Sequence, residues 1–124
     1  MKRWLYFLPA VLFYLSIFAL SSRGIRFGFH LGHLDKIGHF LEFGSLGFLL
    51  AIGFFNAFSF SPSMKTALTF GTGLILAILD EWHQFFVPMR KSDVLDIVAD
   101  AAGLAFGIFI FRSLAGWRKK ALHK

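Results

Sequence analysis

The sequence predicts an all-α protein, a single-domain four-helix transmembrane bundle over residues 1–124 with both termini on the cytoplasmic side (N-in/C-in). Three observations predict it. Four apolar segments are each long enough for the ~30 Å hydrocarbon core of a bilayer, and Gly, Pro and Ser separate them. The chain is 56% hydrophobic and 16% charged, well under the roughly one-quarter charged residues of soluble domains. All seven acidic residues fall between Asp35 and Asp100, within or at the edges of those apolar segments.

The first span covers residues 4–20, with Trp4 and Tyr6 as interfacial anchors and Pro9 tolerated in the first turns of a membrane helix. Lys2-Arg3, the apolar run and Ala19-Leu20-Ser21 resemble a secretion signal, but the run exceeds the usual hydrophobic region of such a signal, so it is read as a span. Residues 23–34 (RGIRFGFHLGHL) form a loop whose Arg, His and Phe suit the head-group layer. The second span covers residues 37–58, the third 66–86 and the fourth 94–111. The turns between them are residues 59–63 around Pro62 and residues 87–89 around Pro88. Trp117-Arg118-Lys119-Lys120 then forms a basic, aromatic anchor.

Charge sets the orientation. Four spans put Lys2, Arg3, Lys65 and the cations from Arg112 onward on one side, eight in all with no acid. The other side holds five cations and all seven acids. The side richer in cations is expected to be cytoplasmic, so the location is the inner (cytoplasmic) membrane with the acidic segments facing outward. The pI near 10.1 comes from cations flanking apolar segments, which points to topology and anionic lipids, and no nucleic-acid partner is expected. Without cysteine there is no disulfide framework and no thiolate metal site.

The acidic residues recur at helical spacing. Asp35, His39 and Glu42 stand at i, i+4, i+7, and Asp93, Asp96 and Asp100 at i, i+3, i+7, while Asp80, Glu81 and Gln84 close the third span. A carboxylate in mid-membrane costs roughly 2.5–3.5 kcal/mol, so Glu42, Asp80, Asp96 and Asp100 together cost about 10–14 kcal/mol, comparable to the stability of a whole domain. Residues that costly imply a polar site between helices. Because span direction alternates, all three groups arrive in the same outer half of the bundle. At 1.5 Å per residue His39 lies about 6 Å and Glu42 about 10 Å deeper than Asp35.

Local chemistry offers plainer roles for some of them. Asp35 and Asp93 suit helix N-termini, and Ser92-Asp93 followed by Asp96 reads as an N-cap with a reciprocal acid at N3. Asp100 lies too deep to cap and needs a partner among Arg90, Lys36 and His39. His39, buried among acids, is the candidate for proton transfer together with Asp80 or Glu81. Lys36 and Arg90, with Gln84, Asp96, Asp100, Asp35 and Glu42 around them, are the candidate substrate-binding set. Arg90 suits an anion and Lys91 a head-group anchor. No cofactor is expected and no metal is assigned: there is no HExxH, and His39 with Glu42 makes a single i, i+3 pair. Gly103 and Gly107 continue the acidic stripe of the fourth span as a close-packing GxxxG face.

Three readings follow. The site binds or modifies an anionic envelope component, a lipid or cell-wall-precursor head group. It serves a proton- or ion-coupled helper of a larger complex. Or it is a folding network alone, in which case isosteric amides at Asp80 and Asp96 would be silent. The inner halves of the spans look apolar, which weighs against a relay.

The pattern Asp35-Lys36-x-x-His39-Phe40-x-Glu42-Phe43-x-x-Leu46-Gly47, then Asp80-Glu81-x-x-Gln84-x-Phe86-x-Pro88-x-Arg90, then Asp96-x-x-Ala99-Asp100-x-x-Gly103-x-x-x-Gly107 resembles the VanZ-like family of small membrane proteins. The resemblance covers residues 21–107. It implies a polytopic membrane fold and a role at the cell envelope, the family being named for a glycopeptide-resistance accessory protein that lowers susceptibility to teicoplanin. The chain departs from the family at Phe43, often Tyr, at Met89, often Gly, and at Asp100, often Asn. The last exchange puts a carboxyl group where the family has a neutral amide.

Overall fold

The computed structural model describes residues 2–22, 32–88 and 93–124, and for residues 32–34 the backbone alone. Among these residues every element is helical: a 3-10 turn, Arg3–Phe7, runs into α1 (Leu8–Ser22), followed by α2 (Gly32–Ala57), α3 (Pro62–Phe85) and α4 (Val94–Leu122). Four helices are long and apolar enough to cross a membrane. Large apolar side chains face outward along all of them, for example Leu12, Leu15, Ile75, Ile78, Val98 and Phe109, while His39, Asp80, Glu81, Gln84, Asp96 and Asp100 are buried. That is the reverse of a soluble domain, whose charged residues are almost never fully buried unless paired.

Element ends depart from the spans read in the sequence, each for a local reason. Residues 32–34 belong to α2, not to the preceding loop, since Asp35 falls in the first helical turn, where the helix dipole favours an acid. Ser21 and Ser22 finish α1 rather than beginning a loop, with Ser22 Oγ donating to the Phe18 carbonyl at 2.8 Å. α3 starts at Pro62, where the missing N–H costs nothing, and Ser61 Oγ caps it by accepting from the Met64 N–H at 3.2 Å. α4 runs on to Leu122, eleven residues past the apolar segment, because Arg, Lys, Ala and Leu are good helix formers outside the membrane as well.

Packing centres on α2, which meets every other helix and lies closest to α4. Gly44 and Gly47 of α2 face Gly103, Leu104 and Gly107 of α4, and the two backbones nearly touch. A methyl group at Gly103 would fall 3.0 Å from the Gly44 nitrogen, and one at Gly107 would fall 3.0 Å from the Phe48 nitrogen and onto the Gly44 carbonyl. The GxxxG face thus works together with a second pair of glycines on the partner helix. Phe43, Leu46, Leu50, Ala77 and Leu104 fill the centre, and Ala10 and Ile17 of α1 close it. α1 is the outermost helix, tied to α3 by the Tyr14 hydroxyl donating to the Leu76 carbonyl at 3.0 Å. At the end away from the acids, Lys65 Nζ donates to the Phe55 carbonyl in the last turn of α2, at 3.2 Å, satisfying a carbonyl that the helix leaves open.

Gly107→Val should therefore force α2 and α4 apart. Overpacking of this kind costs about 1–3 kcal/mol or more, read as a lower melting temperature in detergent. Gly116→Ala, where an added carbon meets nothing within 4 Å, should leave the melt unchanged or slightly raised.

Candidate functional site

One end of the bundle gathers the start of α2, the end of α3 and the start of α4, and these bring most of the polar residues together. The α-helical period carries Asp35 and His39 down one face of α2, Asp80, Glu81 and Gln84 along α3, and Asp96 and Asp100 down α4. His39 and Asp100 are 0% exposed, and Asp80, Glu81, Gln84 and Asp96 are no more than 3% exposed. Asp35, Lys36 and Asp93 form a partly open rim above them.

At the rim, Lys36 Nζ reaches from α2 to α4, donating to Asp93 Oδ2 at 2.9 Å and to Asp96 Oδ1. Its hydrogen bond holds the Asp93 carboxyl below the ordinary aspartate range, helped by the Leu95 N–H. Below the rim, His39 Nε2 stands 3.7 Å from Asp96 Oδ2 and 3.9 Å from Asp35 Oδ2. Deepest, His39 Nδ1 meets Asp100 Oδ1 at 2.8 Å. Both ring nitrogens thus face carboxylates, although a neutral imidazole has one N–H to donate.

α3 supplies the third wall. Gln84 Nε2 donates to Asp80 Oδ2 at 2.9 Å, one helical turn back. Glu81 Oε1 accepts the Asp93 backbone N–H at 2.7 Å. Glu81 thereby does for the start of α4 what the sequence assigns to Asp96. Asp93 is indeed the N-cap, its Oδ1 accepting from the Leu95 N–H at 3.0 Å. The reciprocal bond to the cap's own N–H, however, comes from Glu81 across the helix interface, because Lys36 draws the Asp96 carboxylate toward α2. Nearest ligand-capable atoms of His39, Glu81 and Asp100, one residue from each of three helices, lie within 4.8 Å of one another. Asp35, His39 and Asp96 form a second such group.

Of the candidates named from sequence, Asp35, Lys36, His39, Glu81, Asp96 and Asp100 are brought together, with Asp80 and Gln84 as a bonded pair beside them. Of the partners considered for Asp100, His39 is bonded to it and, among the described residues, Lys36 turns to Asp93 and Asp96 instead. Glu42 is half-buried further along α2 and belongs to neither group. Arg90 and Lys91 lie outside the described residues. Sequence reasoning passed over Ser22, whose Oγ is 2.9 Å from His83 Nε2, and Phe18, whose ring stacks on the His83 ring at 4.2 Å. These join α1 to the site end of α3. A pairing across 61 residues leaves no periodic trace in the chain.

Fold and site together define a multi-pass helical membrane protein with a histidine–carboxylate cluster buried between three of its helices. The sequence profile of the VanZ/LLP1 family matches residues 3–115, and the chain belongs to that family. The matched region contains every residue of the cluster. Among curated proteins and solved structures there is no match.

The rim clamp has a pH signature. Because the folded Asp93 carboxyl sits below its unfolded value, its contribution to stability is complete above about pH 4 and is lost as pH falls through the lower folded value. Asparagine also caps helices, so Asp93→Asn removes the charge alone. The difference in melting temperature between the wild type and Asp93→Asn should be open at neutral pH and should close in acid. An unchanged difference at about pH 3, below the ordinary aspartate range, would show that the clamp is not electrostatic.

Proposed function

We propose that the protein sits in the inner membrane with both termini in the cytoplasm, and that its polar site opens outward to bind the anionic head group of an envelope lipid or cell-wall precursor. The observation that carries this reading is the Lys36 clamp. A half-buried ammonium is held between Asp93 and Asp96 at the mouth of an otherwise buried polar cluster. Electrostatics restrict where an anion can go. Asp80, Glu81 and Asp100 are buried and would repel it, so it would meet the rim, where Lys36 offsets part of the charge of Asp35, Asp93 and Asp96 and where Arg90, three residues before Asp93 in the sequence, would add a second cation. An arginine there can hold a phosphate or carboxylate with two parallel hydrogen bonds.

The other end of the bundle favours binding over a relay. One turn beyond His39 and Asp100 lie Phe43 and Leu104, both fully buried, followed by Leu46, Leu50 and Ala51 on α2 and Ile108 on α4. These residues close the inner side of the cluster with apolar packing, which leaves no polar path through the bundle along these faces of α2 and α4. Membership of the VanZ/LLP1 family agrees with a role at the envelope, and a contribution to glycopeptide susceptibility is part of the same proposal.

Native mass spectrometry of the protein released from nanodiscs of mixed phosphatidylglycerol and phosphatidylcholine tests the reading. Wild type should retain phosphatidylglycerol selectively, Arg90→Ala should lose the selectivity, and Lys91→Ala should keep it. Arg90→Lys should weaken it, since an ammonium cannot make the paired contact. Equal retention of both lipids by wild type would contradict anion binding, and normal selectivity in Arg90→Ala would reduce Arg90 to a topological charge.

A further inference from the structure

We infer that His39, Glu81 and Asp100 form a binding site for one divalent transition-metal ion, of the Zn2+ or Mn2+ class, at the floor of the polar cluster. The inference departs from the expectation of no metal, and it stands on the cluster alone, independently of any anion at the rim.

The first ground is the ligand set. α2, α3 and α4 each deliver one residue, and the three nearest ligand-capable atoms lie within 4.8 Å of one another in a space closed to solvent. One imidazole and two carboxylates suit borderline and harder divalent ions. The 2.8 Å between His39 Nδ1 and Asp100 Oδ1 is a hydrogen-bond length. It is also close to the edge of an octahedron with bonds of about 2.1 Å, roughly 3 Å, so an ion can replace the shared proton with little movement.

A second, independent ground is the state of the carboxylate oxygens. Asp100 Oδ2 and Asp80 Oδ1 are buried and accept no hydrogen bond among the described residues. A buried acceptor left without a donor is costly, and a carboxylate more so. A proton shared by His39 and Asp100 does nothing for either oxygen. A divalent cation bound at Asp100 offsets the first of them directly.

The surrounding bonds are those of a supporting shell. Gln84 Nε2 donates to Asp80, and the Asp93 backbone N–H donates to one Glu81 oxygen. The position of Lys36 matters as well. Its ammonium contacts Asp93 and Asp96, whereas His39 Nδ1 contacts Asp100. This distinguishes the two groups of ligand-capable residues. In the upper one, Asp35, His39 and Asp96, the ammonium of Lys36 already holds Asp96 and would repel an ion. Among the described residues the lower group has no lysine on it.

The test uses the full chain in detergent, stripped with chelator, then given Zn2+ or Mn2+ alone. After desalting, elemental analysis of wild type should find about one ion per chain, and the melt should shift upward. Glu81→Gln keeps an oxygen for the Asp93 N–H, and Asp100→Asn keeps its shape, so both should fold while binding the ion more weakly by at least the roughly 10–100-fold that loss of an outer-shell partner costs. Glu42→Gln, outside the cluster, should bind as wild type does. X-ray absorption of the Zn2+-loaded wild type should find a single imidazole ligand, a readout that needs no variant to fold. No retained ion with no shift in the melt would overturn the site. So would full retention in both variants, or a spectrum with two or more imidazoles, which would place the ion on other histidines.

Discussion

A carboxylate inside a membrane bundle must receive its donor or countercharge from another helix, and the arrangement of this protein follows from that requirement. Water is not there to solvate it, and its own helix has already committed its N–H groups. Asp100 is answered by His39 on α2, Asp96 by Lys36 on α2, and the exposed N–H at the start of α4 by Glu81 on α3. Each bond crosses a helix interface. Together they fix the rotation of α2, α3 and α4 about their axes more tightly than apolar packing could, since lipid tails compete for every apolar contact.

The polar cluster and the glycine contact depend on each other. On α4 the same stripe carries Asp96, Asp100, Gly103 and Gly107, so the face that presents the carboxylates also brings α4 onto α2. With Gly103 against Phe40 and Gly44, the backbones approach closely enough for His39 and Asp100, one turn higher, to meet at 2.8 Å. A larger residue in the lower half would open the gap in the upper half. The geometry of the cluster therefore rests on steric fit one to two turns away.

Much of this could be read from the chain, for identifiable reasons. Length and apolarity mark the four spans, and the cost of membrane carboxylates singles out Glu42, Asp80, Asp96 and Asp100, of which the last three are buried and Glu42 is half-buried outside the cluster. The 3.6-residue helical period alone puts Asp96, Asp100 and Gly103 on one face. The choice of partner was not readable. Asp96 looks like a capping acid because spacing within one helix is visible, whereas the competing pull of Lys36, 60 residues away, is not. Glu81 as the donor-satisfying group for Asp93 escapes for the same reason. Helix ends escaped where a local signal has two meanings: Pro62 starts a helix as readily as it breaks one, and Gly32 lies inside a turn-rich segment.

A double-mutant cycle across His39 and Asp100, measured as unfolding free energy in detergent with chelator present, tests most directly whether the buried bond between α2 and α4 holds the cluster together. His39→Leu alone takes the imidazole away from a buried carboxylate, and Asp100→Leu alone sets an apolar side chain against His39 Nδ1, so each should be strongly destabilising. The double substitution removes both polar groups. It should cost less than the sum of the two single changes by about 0.5–3 kcal/mol, the usual coupling of residues in one buried network. Strict additivity would mean that the two side chains do not sense each other, and the cluster would lose its central contact.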